Sequence, residues 1–250
     1  MQPRQVRRMR HCGENPRGLF PPTLQLFTVL VWAWLTPAGV RAAETEEGVA
    51  LAIVYDTSGS MRQAVATADG KRAAKYIIGN RALEQIIHHI EHFATNSPGR
   101  PVHAGLFVFS GTGAREAVKL GPFNASRLLD WVKSYRGPDS GTPLGTTLET
   151  ASQAVLNSKL SQKHVLVVTD GMNTSGPDPV AVLPRIQKTA EKQRTTVFVH
   201  FVAFDIDAQV FAPLKKMGVD VVGAANEKQL NQQLEFMLEE KILLEKPANK

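Results

Sequence analysis

Cysteine is almost absent from this sequence. Its 250 residues include one cysteine, Cys12, so no disulfide can form within the chain. The phosphate-binding patterns G-x-x-x-x-G-K-[ST] and G-x-G-x-x-G are also missing, which leaves nucleotide binding without sequence support. Basic and aromatic residues do not alternate in a stripe of the kind that binds nucleic acid, and we expect no nucleic-acid partner.

Positive charge is concentrated at the start of the chain. The net charge is +6, but residues 1–42 hold six arginines against one acidic residue, so the remainder is almost neutral. The basic segment precedes a short apolar run, Leu24–Leu35, and a small-residue site that ends at Ala42. This order predicts a signal peptide over residues 1–42, with Met9 as an alternative start and a retained signal anchor as an alternative fate.

The predicted signal peptide implies an exported protein that is periplasmic, on the cell surface or extracellular. The apolar run is shorter than the roughly 20 residues that a membrane-spanning helix needs, so we expect no stable membrane span after cleavage. Cys12 lies in the leader, and an exported domain without cysteine is more typical of a bacterial envelope than of a eukaryotic extracellular protein. Residues 43–48 are predicted to form a short linker and residues 245–250 a C-terminal tail. The sequence does not indicate an oligomeric state.

Residues 49–244 alternate between the patterns of strands and helices. Continuous apolar runs predict buried strands, and apolar residues at helical spacing predict helices between them. The predicted strands are 49–55, 102–109, 165–169, 196–204 and 219–222, with a short edge strand at 115–120. The predicted helices are 71–94, 126–135, 144–156, 179–194 and 227–244. This alternation predicts one α/β domain, a Rossmann-like doubly wound, mostly parallel sheet with helices on both faces.

Oxygen-bearing side chains follow two of these strands and precede one helix. The three loops are Asp56-Thr-Ser58-Gly-Ser60, Ser140-Gly-Thr142 and Asp170-Gly171. They offer two carboxylates and several hydroxyls, but no thiolate or imidazole, and such hard ligands suit Mg²⁺, Ca²⁺ or Mn²⁺. Two carboxylates leave a divalent ion with residual positive charge, and hence with a place for water or for a partner's acidic group.

The pattern D-x-S-x-S, a later G-T-P and a T-D-G at a strand end together resemble a von Willebrand factor A domain over Val49 to Leu244. In that family the three motifs form the metal-ion-dependent adhesion site. The resemblance implies that Ser58, Ser60 and Thr142 are hydroxyl ligands of the ion. It also implies that Asp56 and Asp170 act mainly through water. The expected cofactor is Mg²⁺, with Ca²⁺ and Mn²⁺ as alternatives, and the expected partner is a protein that presents an Asp or Glu carboxylate.

The threonine of the site has two rivals in the sequence, Thr146 and Thr147. Thr142 is the better candidate because Pro143 suits the first position of a helix, which would make Thr142 its cap. The chain has Ser140 where related bacterial sequences often carry glycine. Gly141 keeps its backbone freedom beside the threonine, and we expect the site to tolerate the change.

Two enzymatic alternatives remain open. The residues His88, Glu91 and His92 match H-x-x-E-H, a zinc-protease pattern, but helical spacing places both histidines opposite the apolar face, toward solvent. A serine hydrolase would use Ser58 or Ser60, but the sequence lacks the G-x-S-x-G elbow. A third alternative is an envelope assembly protein with a vestigial metal site. The last helix is expected to pack into the core by its apolar stripe.

Overall fold

The computed structural model describes residues 45–138 and 141–244. The predicted signal peptide, residues 43 and 44 of the predicted linker, Ser140 and the predicted tail lie outside the described residues. The rest of the predicted linker is not a separate segment, because residues 46–48 form the start of the first strand. Among the residues described, no helix has both the length and the apolar character needed to cross a membrane.

A six-stranded sheet forms the centre of the described chain. Its order is β5-β4-β1-β6-β7-β8, in which only the edge strand β5 runs antiparallel to its neighbour. The strands are β1 (Glu46–Tyr55), β4 (Val102–Ser110), β5 (Gly113–Pro122), β6 (Leu160–Thr169), β7 (Phe198–Phe204) and β8 (Asp220–Ala224). A separate two-stranded antiparallel hairpin consists of β2 (Ala64–Ala66) and β3 (Arg72–Ala74). The predicted fold class is confirmed.

Helices cover both faces of the sheet. They are α1 (Lys75–Asn96), α2 (Ala125–Ser134), α3 (Leu144–Leu156), α4 (Pro179–Lys192), α5 (Ala212–Lys216) and α6 (Glu227–Phe236), which a π-helical segment continues over Met237–Leu243. Alternate residues of β1 face opposite sides, as strand geometry requires. Leu51 and Ile53 pack with α1, α2 and α6, whereas Ala52 and Val54 pack with α3, α4 and α5. The two cores lie back to back across the sheet.

The predicted helix over 71–94 begins too early. Residues 72–74 form β3, and α1 begins at Lys75. The hairpin turn contains Gly70 with φ of 81°, a left-handed conformation that glycine adopts without strain. Ala73 and Ala74 fit the helical spacing of the apolar residues that follow them, so spacing alone extended the predicted helix into the hairpin.

Several other boundaries and elements also differ from the prediction. β6 begins at Leu160, five residues before the predicted strand, because polar residues at its start lie within the sheet. The last predicted helix changes from α to π at Met237. The short helix α5 and the 3-10 turns Gly59–Arg62 and Ala208–Phe211 are too brief to produce a periodic signal.

The strand order reverses between β1 and β6. The chain continues from β1 to β4 on one side and reaches β6 on the other, so the loops after β1 and β6 part and leave a crevice at their carboxyl ends. Tyr55 is the register partner of Val168, and the backbone N–H of Asp56 donates to the carbonyl of Val168 at 3.1 Å. The fold therefore brings Asp56 and Asp170 to the same place.

Candidate metal site at the sheet edge

Asp56 is the most deeply placed residue of the crevice. It is 0% exposed, and its carboxylate is held on both oxygens. Oδ1 accepts a hydrogen bond from the backbone N–H of Ser58 at 2.7 Å. Oδ2 accepts from the Thr169 hydroxyl at 2.6 Å and from the backbone N–H of Asp170 at 3.3 Å. These bonds join the loop after β1 to the end of β6 and fix the orientation of the carboxylate.

Ser58, Ser60 and Asp170 form a continuous chain of oxygen atoms above Asp56. The hydroxyls of Ser58 and Ser60 lie 2.9 Å apart, and the Ser60 hydroxyl donates to Oδ1 of Asp170 at 2.7 Å. The intervening Thr57 turns the other way and donates to the carbonyl of Phe109 at 3.0 Å, which ties the loop to β4. The alternation of D-x-S-x-S thus places the two serines on the side of Asp170.

Thr142 approaches the same place from the start of α3. A Cβ added to Gly171 would lie 3.7 Å from the Thr142 hydroxyl and 3.8 Å from the Ser60 hydroxyl, so both hydroxyls lie beside this glycine. The backbone of Thr142 is held by Thr174, whose hydroxyl accepts from the Thr142 N–H at 2.9 Å. The five predicted site residues therefore converge on one crevice.

The predicted capping role of Thr142 is wrong. The cap of α3 is Pro143, and no side chain caps the helix. Pro143 has no N–H to donate, and it occupies the position before the first helical residue rather than the first helical position. The two rival threonines have other contacts. Thr147 is fully buried and donates to the Pro143 carbonyl at 3.0 Å, and the Thr146 hydroxyl faces Gly176.

The two carboxylates repel each other in the absence of a cation. Burial, followed by the negative charge of Asp170, raises the pKa of Asp56 from 3.8 to about 6, although the hydrogen bonds from Ser58 and Thr169 act in the opposite direction. Because the folded-state pKa lies above that of an unfolded chain, keeping Asp56 ionised at neutral pH costs stability. A divalent cation at the crevice would remove this cost.

Lys75 is a functional candidate that the sequence analysis missed. Its ammonium lies 2.9 Å from Oδ2 of Asp170 and 2.9 Å from Oδ2 of Asp205, and its side chain is only 3% exposed. Burial alone would lower the pKa of Lys75, but the hydrogen bonds and charges of the two aspartates outweigh it, and the pKa is raised. No sequence signal marked it, because the predicted helix began at residue 71 and so placed Lys75 in the second turn rather than at the helix start.

We expect Gly145→Ala to destabilise the wall of the crevice. The Cβ of alanine would lie 2.0 Å from the backbone carbonyl oxygen of Pro177, in the loop that also holds Thr142 through Thr174. Overpacking against backbone costs about 1–3 kcal/mol, which thermal unfolding followed by circular dichroism will measure. Gly99→Ala is the matched control, because nothing lies within 4 Å of its added Cβ. An equal melting temperature for both variants would contradict the expected clash.

The residues of the enzymatic alternatives make other contacts within the part of the chain that the structure describes. His88 and Glu91 are exposed and contact each other at 3.4 Å, and the His92 ring contacts the side chain of Asn96. The hydroxyls of Ser58 and Ser60 bond to each other and to Asp170 rather than to an imidazole base. The predicted solvent exposure of His88 and His92 is confirmed.

Comparisons with known proteins agree on the family and the fold. The family model of the von Willebrand factor type A domain matches residues 50–237. No curated protein matches the sequence. Among solved structures, the PilB minor pilin from Streptococcus sanguinis is 13% identical, with a TM-score of 0.58, over 78% of this chain and 62% of that protein.

Two single domains match over most of their own length. The vWF domain of the type V pili tip protein Mfa5 from Porphyromonas gingivalis is 10% identical, with a TM-score of 0.58, over 78% of this chain and 95% of that one. The SpRpn10 VWA domain is 13% identical, with a TM-score of 0.55, over 75% of this chain and 93% of that one. The present chain spans less than two thirds of the PilB pilin, and at these identities the likeness is one of fold. Because the family model covers more than half of the sequence, the chain belongs to the von Willebrand factor type A domain family.

Proposed function

We propose that this protein is a metal-dependent, non-catalytic binding module that recognises an acidic residue of a protein partner. Ser58, Ser60 and Thr142 would hold a divalent cation through their hydroxyls. Asp56 and Asp170 would orient the shell, mainly through water. Mg²⁺ is the proposed ion, with Ca²⁺ and Mn²⁺ as alternatives that the same oxygen donors accept.

The observation that carries this proposal is the connected donor set around Asp170. Four oxygen-bearing side chains form a hydrogen-bonded series from Asp56, through the loop of Ser58 and Ser60, to Asp170. A capping or turn motif has no need for two buried carboxylates next to each other, because their repulsion destabilises the fold. A bound hard cation would offset this repulsion and so explain the arrangement.

The charge balance favours a carboxylate as the partner group. Lys75 lies between Asp170 and Asp205, so its ammonium offsets part of the charge of Asp170, and the two carboxylates of the crevice carry less than two full negative charges. A divalent ion bound there supplies an electrophilic centre that attracts an anionic oxygen ligand. The protein residues then orient the donors and leave the outer side of the ion open to the partner.

Met172 supports a protein as the partner rather than a small anion. It follows Gly171 directly and is 57% exposed, although it is a large apolar side chain. Methionine is flexible and polarizable, and it is common on surfaces that bind proteins. An exposed methionine beside the donor set offers apolar contact around the proposed carboxylate.

An exported location is part of the proposal. It is supported by the predicted signal peptide and by structural neighbours from bacterial pili, namely the minor pilin PilB and the pilus-tip protein Mfa5. Adhesion or assembly at the cell envelope is the setting that these observations favour.

Capture of an envelope partner should depend on divalent cations. Immobilised protein is expected to retain its partner from an envelope extract in Mg²⁺ and to release it in EDTA, because the proposed contact runs through the ion. Asp56→Ala and Ser60→Ala should not retain the partner, whereas His88→Ala should behave as wild type. Mass spectrometry of the eluates gives the measurement. Equal retention in EDTA and by Asp56→Ala would favour an assembly protein with a vestigial site.

A further inference from the structure

A second cluster of metal-ligating side chains lies between α1 and the last helical segment, which comprises α6 and its π-helical continuation, residues 227–243. His89 of α1, Glu235 of α6 and Glu239 of the π segment bring one ligand atom each to within 4.8 Å of one another. His89 Nδ1 and Glu239 Oε1 are 3.7 Å apart. None of these residues belongs to the proposed binding site.

The two helices that carry the cluster pack against each other. Ile86 of α1 and Leu234 and Leu238 of the last helical segment lie in one buried core. His89 follows Ile86 by three residues, and each glutamate is next to one of the two leucines. The core contacts thus hold the two helices side by side at the positions that carry the three ligands.

Spacing on the last helical segment produces a row of oxygen donors. Asn231 and Glu235 are four residues apart on α6, so they lie on one face, and Glu239 continues the row where the helix becomes π. Interruptions of this kind in a helix often mark functional sites. His89 faces this row from α1, which makes the cluster a mixed imidazole and carboxylate group rather than an acidic patch.

A small cavity with a buried polar atom lies at the same place. The cavity has a volume of about 40 Å³ and is lined by the polar residues Gln85, His89, Asn231 and Glu235 together with apolar residues of both helices. The amide oxygen Oδ1 of Asn231 is buried, and it accepts no hydrogen bond from any residue that the structure describes. Such a volume accommodates a water molecule, which would supply the missing donor.

The distances suit a small transition-metal ion. In tetrahedral zinc sites, nitrogen and carboxylate ligands lie about 2.0–2.2 Å from the ion, which places neighbouring ligand atoms about 3.3 Å apart. The separation of 3.7 Å between His89 Nδ1 and Glu239 Oε1 is close to that value before any ion draws the ligands together. Imidazole combined with carboxylate suits Zn²⁺ and related ions better than Mg²⁺.

We propose that His89, Glu235 and Glu239 form a second, zinc-type metal site that links α1 to the last helical segment. A water in the cavity completes the ligand shell and donates to Asn231 Oδ1. The site has three protein ligands from two elements, so the bound ion restrains the α6–π segment against α1. This is a binding and restraining role, and it is independent of whether the crevice at the sheet edge binds a cation.

The histidine-rich stretch of α1 gains a specific interpretation from this geometry. The sequence pattern H-x-x-E-H selects His88 and His92, which face solvent, and passes over His89. The side chain of His88 is 60% exposed, whereas that of His89 is 39% exposed and turned toward the last helical segment. The neighbouring histidines therefore serve as matched controls on the same helix.

Zinc titration of the chelator-treated full chain tests the proposal. Calorimetry in excess Mg²⁺, which occupies oxygen-only sites, is expected to show one Zn²⁺ bound per chain. His89→Ala and Glu239→Gln should each weaken zinc binding by about tenfold or more, as the loss of a supporting or direct ligand does in metal sites. His88→Ala and His92→Ala should leave the zinc affinity at the wild-type value. Glu239→Gln keeps the shape of an exposed side chain, so it remains informative if His89→Ala folds poorly.

Hydrogen exchange gives a second readout that simple surface binding would not change. Zinc is expected to slow amide exchange over residues 237–243 in the wild type and not in His89→Ala. Unaltered zinc affinity in both His89→Ala and Glu239→Gln would overturn the proposal. Loss of the zinc signal in Asp170→Asn but not in His89→Ala would also overturn it, because that result would place the ion at the sheet edge.

Discussion

Replacing Lys75 with methionine is expected to lower the free energy of unfolding by about 3–5 kcal/mol in the absence of divalent cations, since removing one partner of a buried ion pair leaves an uncompensated charge. The Lys75 side chain is 3% exposed and that of Asp170 is 0% exposed, so water cannot replace the lost ammonium. Methionine keeps an unbranched chain of similar length, which separates the loss of charge from a loss of packing. Urea unfolding in EDTA gives the measurement.

The matched control for this prediction lies four residues earlier in the chain. Lys71 also pairs with an aspartate, Asp69, at 3.0 Å, but the two side chains are 83% and 57% exposed. Lys71→Met should therefore change the free energy of unfolding by no more than about 1 kcal/mol. Excess Mg²⁺ should restore part of the stability of Lys75→Met, because the ion supplies positive charge beside Asp170. A small effect of Lys75→Met in EDTA would show that the buried pair contributes little.

Asp170→Asn is expected to weaken Mg²⁺ binding by about a hundredfold or more in calorimetry. The substitution removes one of only two carboxylates at the proposed site, and Mg²⁺ depends on negatively charged oxygen ligands. The hydrogen bonds can survive, because the amide oxygen can still accept from Lys75 and the amide nitrogen can donate to the Ser60 hydroxyl. The folded state should therefore persist while the cation affinity is lost.

Asp205→Asn tests whether Asp170 affects cation binding through its place at the metal site or through its ion pair with Lys75. Asp205 shares Lys75 with Asp170, at the same distance of 2.9 Å, but its side chain is 38% exposed. Its backbone has φ of 53°, a left-handed conformation that asparagine also adopts readily, so the substitution adds no strain. Asp205→Asn should keep Mg²⁺ affinity near the wild-type value. An equal loss of Mg²⁺ affinity in Asp170→Asn and Asp205→Asn would mean that the total charge of the network governs cation binding, rather than the place of Asp170 beside the ion.

The residues of the candidate site could be predicted from the sequence because they lie directly after predicted strands or directly before a predicted helix. Asp56 and Asp170 each follow a continuous apolar run that ends abruptly, and the ends of parallel strands meet at one edge of the sheet. The period of two along D-x-S-x-S places both serines on one side. These are local patterns joined by one topological rule, and they do not require knowledge of long-range packing.

The residues that the sequence analysis missed depend on contacts between distant elements. Lys75 is at the site only because the β2–β3 hairpin delays the start of α1, which brings its first residue against Asp170, 95 positions later in the chain. Helical spacing through residues 73 and 74 hid that hairpin. In the same way, His89 meets Glu235 and Glu239 only because α1 and the last helical segment pack side by side.

By itself the sequence determined the order of the main strands and helices and the class of sheet. It also determined the five oxygen donors in the loops that follow two strands and precede one helix, because hydrophobic periodicity and short motifs are encoded within a few residues. The tertiary structure alone decided which charges compensate one another. It buried Lys75 between Asp170 and Asp205, made Pro143 rather than Thr142 the cap of α3, and turned His89 instead of His88 toward a pair of glutamates. Charge compensation and metal ligation act through space over a few ångströms, and the fold sets those distances between residues that the chain separates by as many as 150 positions.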